Sequence, residues 1–166
     1  MNESKTLEIL KKAIILERQG QSFYRKVAEQ TDNEAVKNIF EIMADEESKH
    51  EQALISQAES ISRGEGFQKD FNLGTQEEFS STVLSSRIKG HISAADYEAA
   101  SIAAAIEMEK KAIELYSSRA EAGTDESEKA LFSELSKWEQ THLSFLNEIY
   151  SDMLESSWND AQFWPF

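Results

Sequence analysis

The chain has 166 residues, with 31 acidic against 17 basic side chains and a formal net charge of −14. That length sets one domain, spanning residues 1–166, as the expectation. The negative excess argues against a nucleic-acid partner, whose phosphates would be repelled. The absence of cysteine excludes disulfides, iron–sulfur clusters and cysteine-ligated zinc or iron sites.

The amino terminus leads straight into an amphipathic pattern without the apolar stretch of a signal peptide. No window approaches the ~18–20 apolar residues of a membrane span. The expectation is a cytoplasmic protein with no membrane partner. One proline, Pro165, and six glycines leave few breakers, which favours long helices.

The first predicted helix covers about 5–30. Leu7, Leu10, Ile14, Glu17, Tyr24 and Ala28 recur at helical steps and share a face. Asp32 or Asn33 is suited to cap a second helix over about 34–63, whose inner stripe is Val36, Phe40, Met43, Glu47, His50 and Leu54. Gly64 and Gly66 end it. Residues 64–92 lose the period and read as a crossover. Its apolar residues Phe67, Phe71, Phe79, Val83 and Leu84 imply packing on the remainder of the chain, and a short helix is expected near 76–87. His91 reads as a solvated loop residue.

A third helix over about 93–122, capped by Ser93, places Ile102, Ile106, Glu109, Ile113, Tyr116 and Ala120 on one face. Gly123 is its stop, and Thr124 or Asp125 caps a fourth helix over about 125–155. Phe132, Leu135, Glu139, His142, Phe145, Leu146 and Ile149 form its inner stripe. The aromatic tail 156–166 is expected to fold back on the bundle or to fill a subunit interface.

One pattern occurs twice at an offset of 92 residues. Glu17, Tyr24, Glu47 and His50 recur as Glu109, Tyr116, Glu139 and His142. A single Glu-x-x-His is weak in a Glu-rich chain, but two copies in register are strong. The repeat extends to Ala13/Ala105, Ile14/Ile106, Ala28/Ala120, Phe40/Phe132 and Leu54/Leu146, so each half reads as a helical hairpin and the whole as a duplication. Two hairpins meeting about a two-fold axis make helices two and three run in the same direction. The connection between them must then travel the bundle's length, ~39 Å for a helix of ~26 residues.

Four carboxylates on otherwise apolar stripes would be costly to bury without partners. Two divalent cations balance their charge, and two neutral imidazoles complete the coordination. Glu47 and Glu139 are expected to bridge two metals, with Glu17 and Glu109 as terminal ligands and one imidazole, His50 or His142, per metal. Oxygen-rich sites of this kind suit iron first and manganese second. A buried phenol needs a partner. Tyr24 and Tyr116 are therefore read as donors to a bridging carboxylate, the alternative being core aromatics whose hydroxyls reach solvent. Glu46, Glu51, Glu107 and Glu114 point away from the site and are expected on a solvated face. Trp138, rotated ~100° from Glu139, is expected to contact a neighbouring helix.

These residues resemble the ferritin-like superfamily, and within it rubrerythrin-type proteins, over about 5–155. The resemblance is carried by Ala13 to Glu17 with Phe23 and Tyr24, by Met43 to His50, by Ala105 to Glu109 with Leu115 and Tyr116, and by Trp138 to His142. It implies an all-α, ferritin-like four-helix bundle holding two iron ions. It also implies reduction of peroxide or oxygen and, in many relatives, a homodimer. Two departures stand out. Rubrerythrins carry a C-terminal rubredoxin-like domain with four cysteines, which is not expected in this cysteine-free sequence. They also place an extra Glu one turn after the helix-three ligand, where this chain has Ala112. The redox-linked ligand exchange attributed to that Glu therefore has no residue to carry it.

The leading expectation is a di-iron oxidoreductase re-reduced by an external electron donor protein. The alternatives are a ferroxidase or iron-handling protein, which the acidic charge would suit, and a non-catalytic helical module with structural metal.

Overall fold

The computed structural model describes residues 3–74, 79 and 97–160, with side chains to residue 155 in the last helix. It shows four helices: α1 (Glu3–Gln30), α2 (Glu34–Ser62), α3 (Tyr97–Ala122) and α4 (Glu126–Asp160). No strand occurs among the described residues, and no described helix is long and apolar enough to cross a membrane.

Local chemistry sets the helix boundaries. Asn33 has extended backbone, and its side chain accepts from the N–H groups of Ala35 and Val36, capping α2. Asp125 does the same for α4 through Ser127 and Glu128. Past α2, Gly64 and Gly66 adopt φ of 75° and 80°, the left-handed region that glycine enters without steric cost. Gly123 ends α3 for a different reason, because its φ is not left-handed. A Cβ there would sit 3.2 Å from the Arg119 carbonyl oxygen and 3.2 Å from Lys129 Cγ, so the turn into α4 closes against it.

Two boundaries differ from expectation. α1 starts two residues early, and α4 continues to Asp160, so residues 156–160 of the expected tail are helical. The expected cap at Ser93, the helix near 76–87, Val83, Leu84, His91 and residues 161–166 lie outside the described residues.

α1 packs closely on α2, and α3 on α4, as two hairpins. Pairings across the hairpins fix their orientation. Gln30 at the end of α1 accepts from Tyr97 at the start of α3, while Tyr116 near the end of α3 reaches Glu17 in α1. α1 and α3 are thus antiparallel. α2, antiparallel to α1, therefore runs parallel to α3, which is the topology that demands a long crossover.

That crossover begins clamped to α2. The buried Gln57 side chain accepts from the Gln68 N–H at 2.8 Å and donates to the Gln68 carbonyl at 3.2 Å. Ser60 donates to the Gly66 carbonyl at 2.8 Å. Leu73 and Phe79 are buried further along. In the buried core Tyr24 packs on Phe40 and Tyr116 on Phe132, two pairs related by the repeat.

Candidate metal centre

Each helix delivers part of one polar cluster to the middle of this apolar interior. Glu17 comes from α1, Glu47 and His50 from α2, Glu109 from α3, and Glu139 and His142 from α4. All six are at most 4% exposed. A three-residue step moves ~4.5 Å along a helix and keeps nearly the same face, so each Glu-x-x-His presents both groups inward.

The donor atoms form two overlapping sets. Glu17, Glu47, His50 and Glu139 offer one ligand atom each, all within 4.8 Å of one another, and so do Glu47, Glu109, Glu139 and His142. Glu47 and Glu139 belong to both sets. His50 Nδ1 lies 3.1 Å from Glu139, 3.5 Å from Glu17 and 3.7 Å from Glu47. His142 Nδ1 lies 3.3 Å from Glu139, 3.5 Å from Glu47 and 3.6 Å from Glu109. The rings face each other with centroids 5.7 Å apart and planes inclined by 22°.

Hydrogen bonding leaves the middle of this cluster unsatisfied. Both oxygens of Glu139 and both nitrogens of each imidazole are buried without a hydrogen-bond partner. Buried polar atoms are seldom left so in native proteins. Converging carboxylate oxygens and Nδ1 atoms could hold metal ions, and the oxygen-rich donor set fits iron or manganese.

The electrostatics say the same. Burial raises Glu17 well above the ordinary carboxylate range, and the charge of Glu47 adds to it. Burial and then the charge of Glu139 do the same to Glu109. Glu139 is the opposite case. Burial pushes it up, but contact with both imidazoles outweighs burial and holds it well below the usual value. Glu47 is lowered more mildly, burial and Glu139 being offset by Glu17, His142 and His50. Burial alone would lower both histidines, yet the surrounding carboxylates raise them well above the ordinary imidazole value.

Tyr24 donates to Glu109 and Tyr116 donates to Glu17, both phenols being buried. This corrects the expected partner, which was a shared carboxylate. Each phenol crosses to the opposite hairpin and holds a carboxylate that belongs to one donor set only. Burial, followed by the charge of the accepting carboxylate, raises both phenols well above their ordinary value, so each keeps its proton and remains a donor.

Several contributors escaped sequence reasoning. Glu46 is buried, not solvated, and receives a 2.7 Å hydrogen bond from Lys49. The crossover covers it, and a Cβ on Gly74 would come within 3.3 Å of Glu46 Oε2. Glu51 is also largely shielded, in an ion pair with Arg18, whereas Glu107 and Glu114 are exposed as expected. Trp138 does contact the neighbouring helix, but through the site itself. Its ring centroid lies 5.6 Å from His50 and 6.0 Å from His142. Phe79 closes the same side, 5.0 Å from His142 and 6.1 Å from Trp138. Gly20 was missed as well. A Cβ there would lie 3.3 Å from Glu47 Cδ, so its hydrogen makes room for the carboxylate. The repeat held the signal, because the counterpart of Gly20 at the same offset is the small, buried Ala112.

Comparison with known proteins gives one result. The family model described as Rubrerythrin matches residues 8–150. No curated protein and no solved structure is significantly similar to the chain.

Proposed function

Since the chain belongs to the rubrerythrin family, we propose that it is a di-iron oxidoreductase. It reduces hydrogen peroxide or oxygen and recovers its electrons from an external donor protein. The observation that carries this reading is the sharing of Glu47 and Glu139 between two four-residue donor sets. Glu17 and His50 would hold one ion, Glu109 and His142 the other, and the two shared carboxylates would span both.

When bound, two ferrous ions supply one electron each and Lewis acidity. Peroxide reduction needs two electrons and two protons to give two waters. The protein's part is geometry and dryness. Tyr24 and Tyr116 fix the orientation of Glu109 and Glu17, because a ligand held by a hydrogen bond keeps its aim. Trp138 and Phe79 keep water from the imidazole side.

The test is to load the protein with ferrous iron anaerobically and add stoichiometric peroxide. A change in the optical and Mössbauer spectra to the ferric state is expected, and it should be lost when His50→Ala and His142→Ala are combined. Loaded wild-type protein that stays ferrous after peroxide would sink the proposal.

Iron handling is the second reading, favoured by the net charge of −14, which concentrates cations near the surface. Storage needs a many-subunit shell. A dimer in size-exclusion chromatography would dismiss a self-assembled cage.

A further inference from the structure

We propose that the solvent face of α1 is the docking surface for an acidic electron-carrier protein that supplies the metal centre. The proposal rests on the redox reading above. It starts from an imbalance of charge. α1 holds six Lys and Arg against four Glu, in a chain that holds 17 against 31 overall. One of those four, Glu17, is buried in the metal centre.

The cations are arranged as a stripe. Lys11, Arg18 and Arg25 recur every seven residues, with Lys5, Lys12 and Lys26 alongside, and all six are exposed. Arg18 pairs with Glu51, and Arg25 lies 3.9 Å from Asp45. Lys5, Lys11, Lys12 and Lys26 have no ion-pair partner among the described residues. At the centre stands Ile15, 54% exposed.

Position relative to the site selects the partner. Ile15 occupies the same helical turn as Glu17, two residues and ~200° away round the helix, and so faces the opposite way. A helix with its side chains is about 10–12 Å across, so a carrier resting on Ile15 is one helix thickness from the cluster. The chain has no cysteine with which to ligate an iron–sulfur centre of its own. The acidic remainder of the molecule repels an acidic carrier and turns this stripe toward it. Such steering raises encounter rates and sets orientation. One exposed isoleucine within a charged rim suits a small, transient electron-transfer contact better than a stable dimer, which buries far more apolar surface.

The experiment reverses the stripe with Lys11→Glu, Lys12→Glu and Lys26→Glu together, leaving the ion-paired arginines and every residue of the metal centre in place. The probe is an acidic [2Fe–2S] ferredoxin. Titrated into labelled wild-type protein, it should shift amide resonances of α1 around Ile15. Binding should weaken steeply between about 50 and about 200 mM salt, as screening tightens. The triple variant should lose roughly 10-fold or more in both affinity and the rate of reduction by ferredoxin, with reduction by a small uncharged reductant unchanged. Shifts on another face, salt-independent binding or undiminished affinity of the variant overturn the proposal. So does elution of the variant at lower mass than wild type, which would make the stripe a contact between copies of this chain. If the iron-loaded wild type exchanges electrons with neither reductant, the redox reading fails and electron delivery fails with it. The resonance map then still decides whether this face docks an acidic protein.

Discussion

Glu47 sits where only a hydrogen separates it from α1. In Gly20→Ala, the new methyl would press on the Glu47 carboxyl from 3.3 Å, and both donor sets would feel the shift. Metal affinity should fall roughly tenfold, the lower end of what disturbed ligand orientation costs, in a chelator competition. Unchanged affinity would show that Glu47 does not ligate from this position. Glu17 and Glu109 allow a sharper electrostatic test. Their folded values are raised, so their contribution is most favourable below the unfolded carboxylate value of about 4.3 and is lost as pH rises through the folded value. Glu17→Gln keeps an acceptor for Tyr116 and removes that loss. The metal-free variant should therefore melt higher than metal-free wild type above neutral pH and bind metal worse. A lower melting temperature would contradict the electrostatic account. At this scale the sequence was informative where burial had an evident cost. Carboxylates on apolar stripes announce a site, which is why the structure brings all six predicted residues together. The phenol partners were not legible, because spacing along one helix says nothing about the register between two.

α2 owes its length to signals written locally and its surroundings to contacts that are not. Asn33 and the glycine pair at 64 and 66 mark its ends in any reading, and the structure uses all three. The covering of Glu46 and the approach of Phe79 to His142 depend on a crossover without period, so no helical angle foretells them. Gln57 is the hinge of that arrangement. Gln57→Ala would remove two part-buried hydrogen bonds to the Gln68 backbone and, at about 0.5–1.5 kcal/mol each, should cost about 1–3 kcal/mol in chemical denaturation. Because the clamp lies more than a turn beyond His50, metal affinity should change far less than stability. A variant as stable as wild type would show that the crossover holds without it. By comparison Asn33→Ala, which removes a cap alone, should cost about 1 kcal/mol.

Across the whole molecule, backbone packing is close within each hairpin and sparse between them. The core aromatics and the polar cluster fill the space between the halves. Metal ions held by all four helices would therefore tie the hairpins together, and ligand binding to the native state alone raises stability by mass action. Adding ferrous or manganous ions should raise the melting temperature, and a chelator should reverse the gain. Binding should also release protons, because in metal-free protein the carboxylates around both histidines outweigh burial and favour their protonated forms, while burial and neighbouring charge favour those of Glu17 and Glu109. Metal loading in weak buffer should acidify the solution, and affinity should climb with pH. Loading without proton release would mean that these groups are already deprotonated.

The crossed phenols carry a lesson about ancestry. Tyr24 grips Glu109, and the mirror bond joins Tyr116 to Glu17. In a progenitor consisting of one hairpin, two identical copies could clasp by the same exchange, every hydroxyl reaching its twin's carboxylate. A peptide of residues 3–62 would then be expected to pair with itself when given divalent metal, and fusing two such genes would have needed only a strap of sufficient reach.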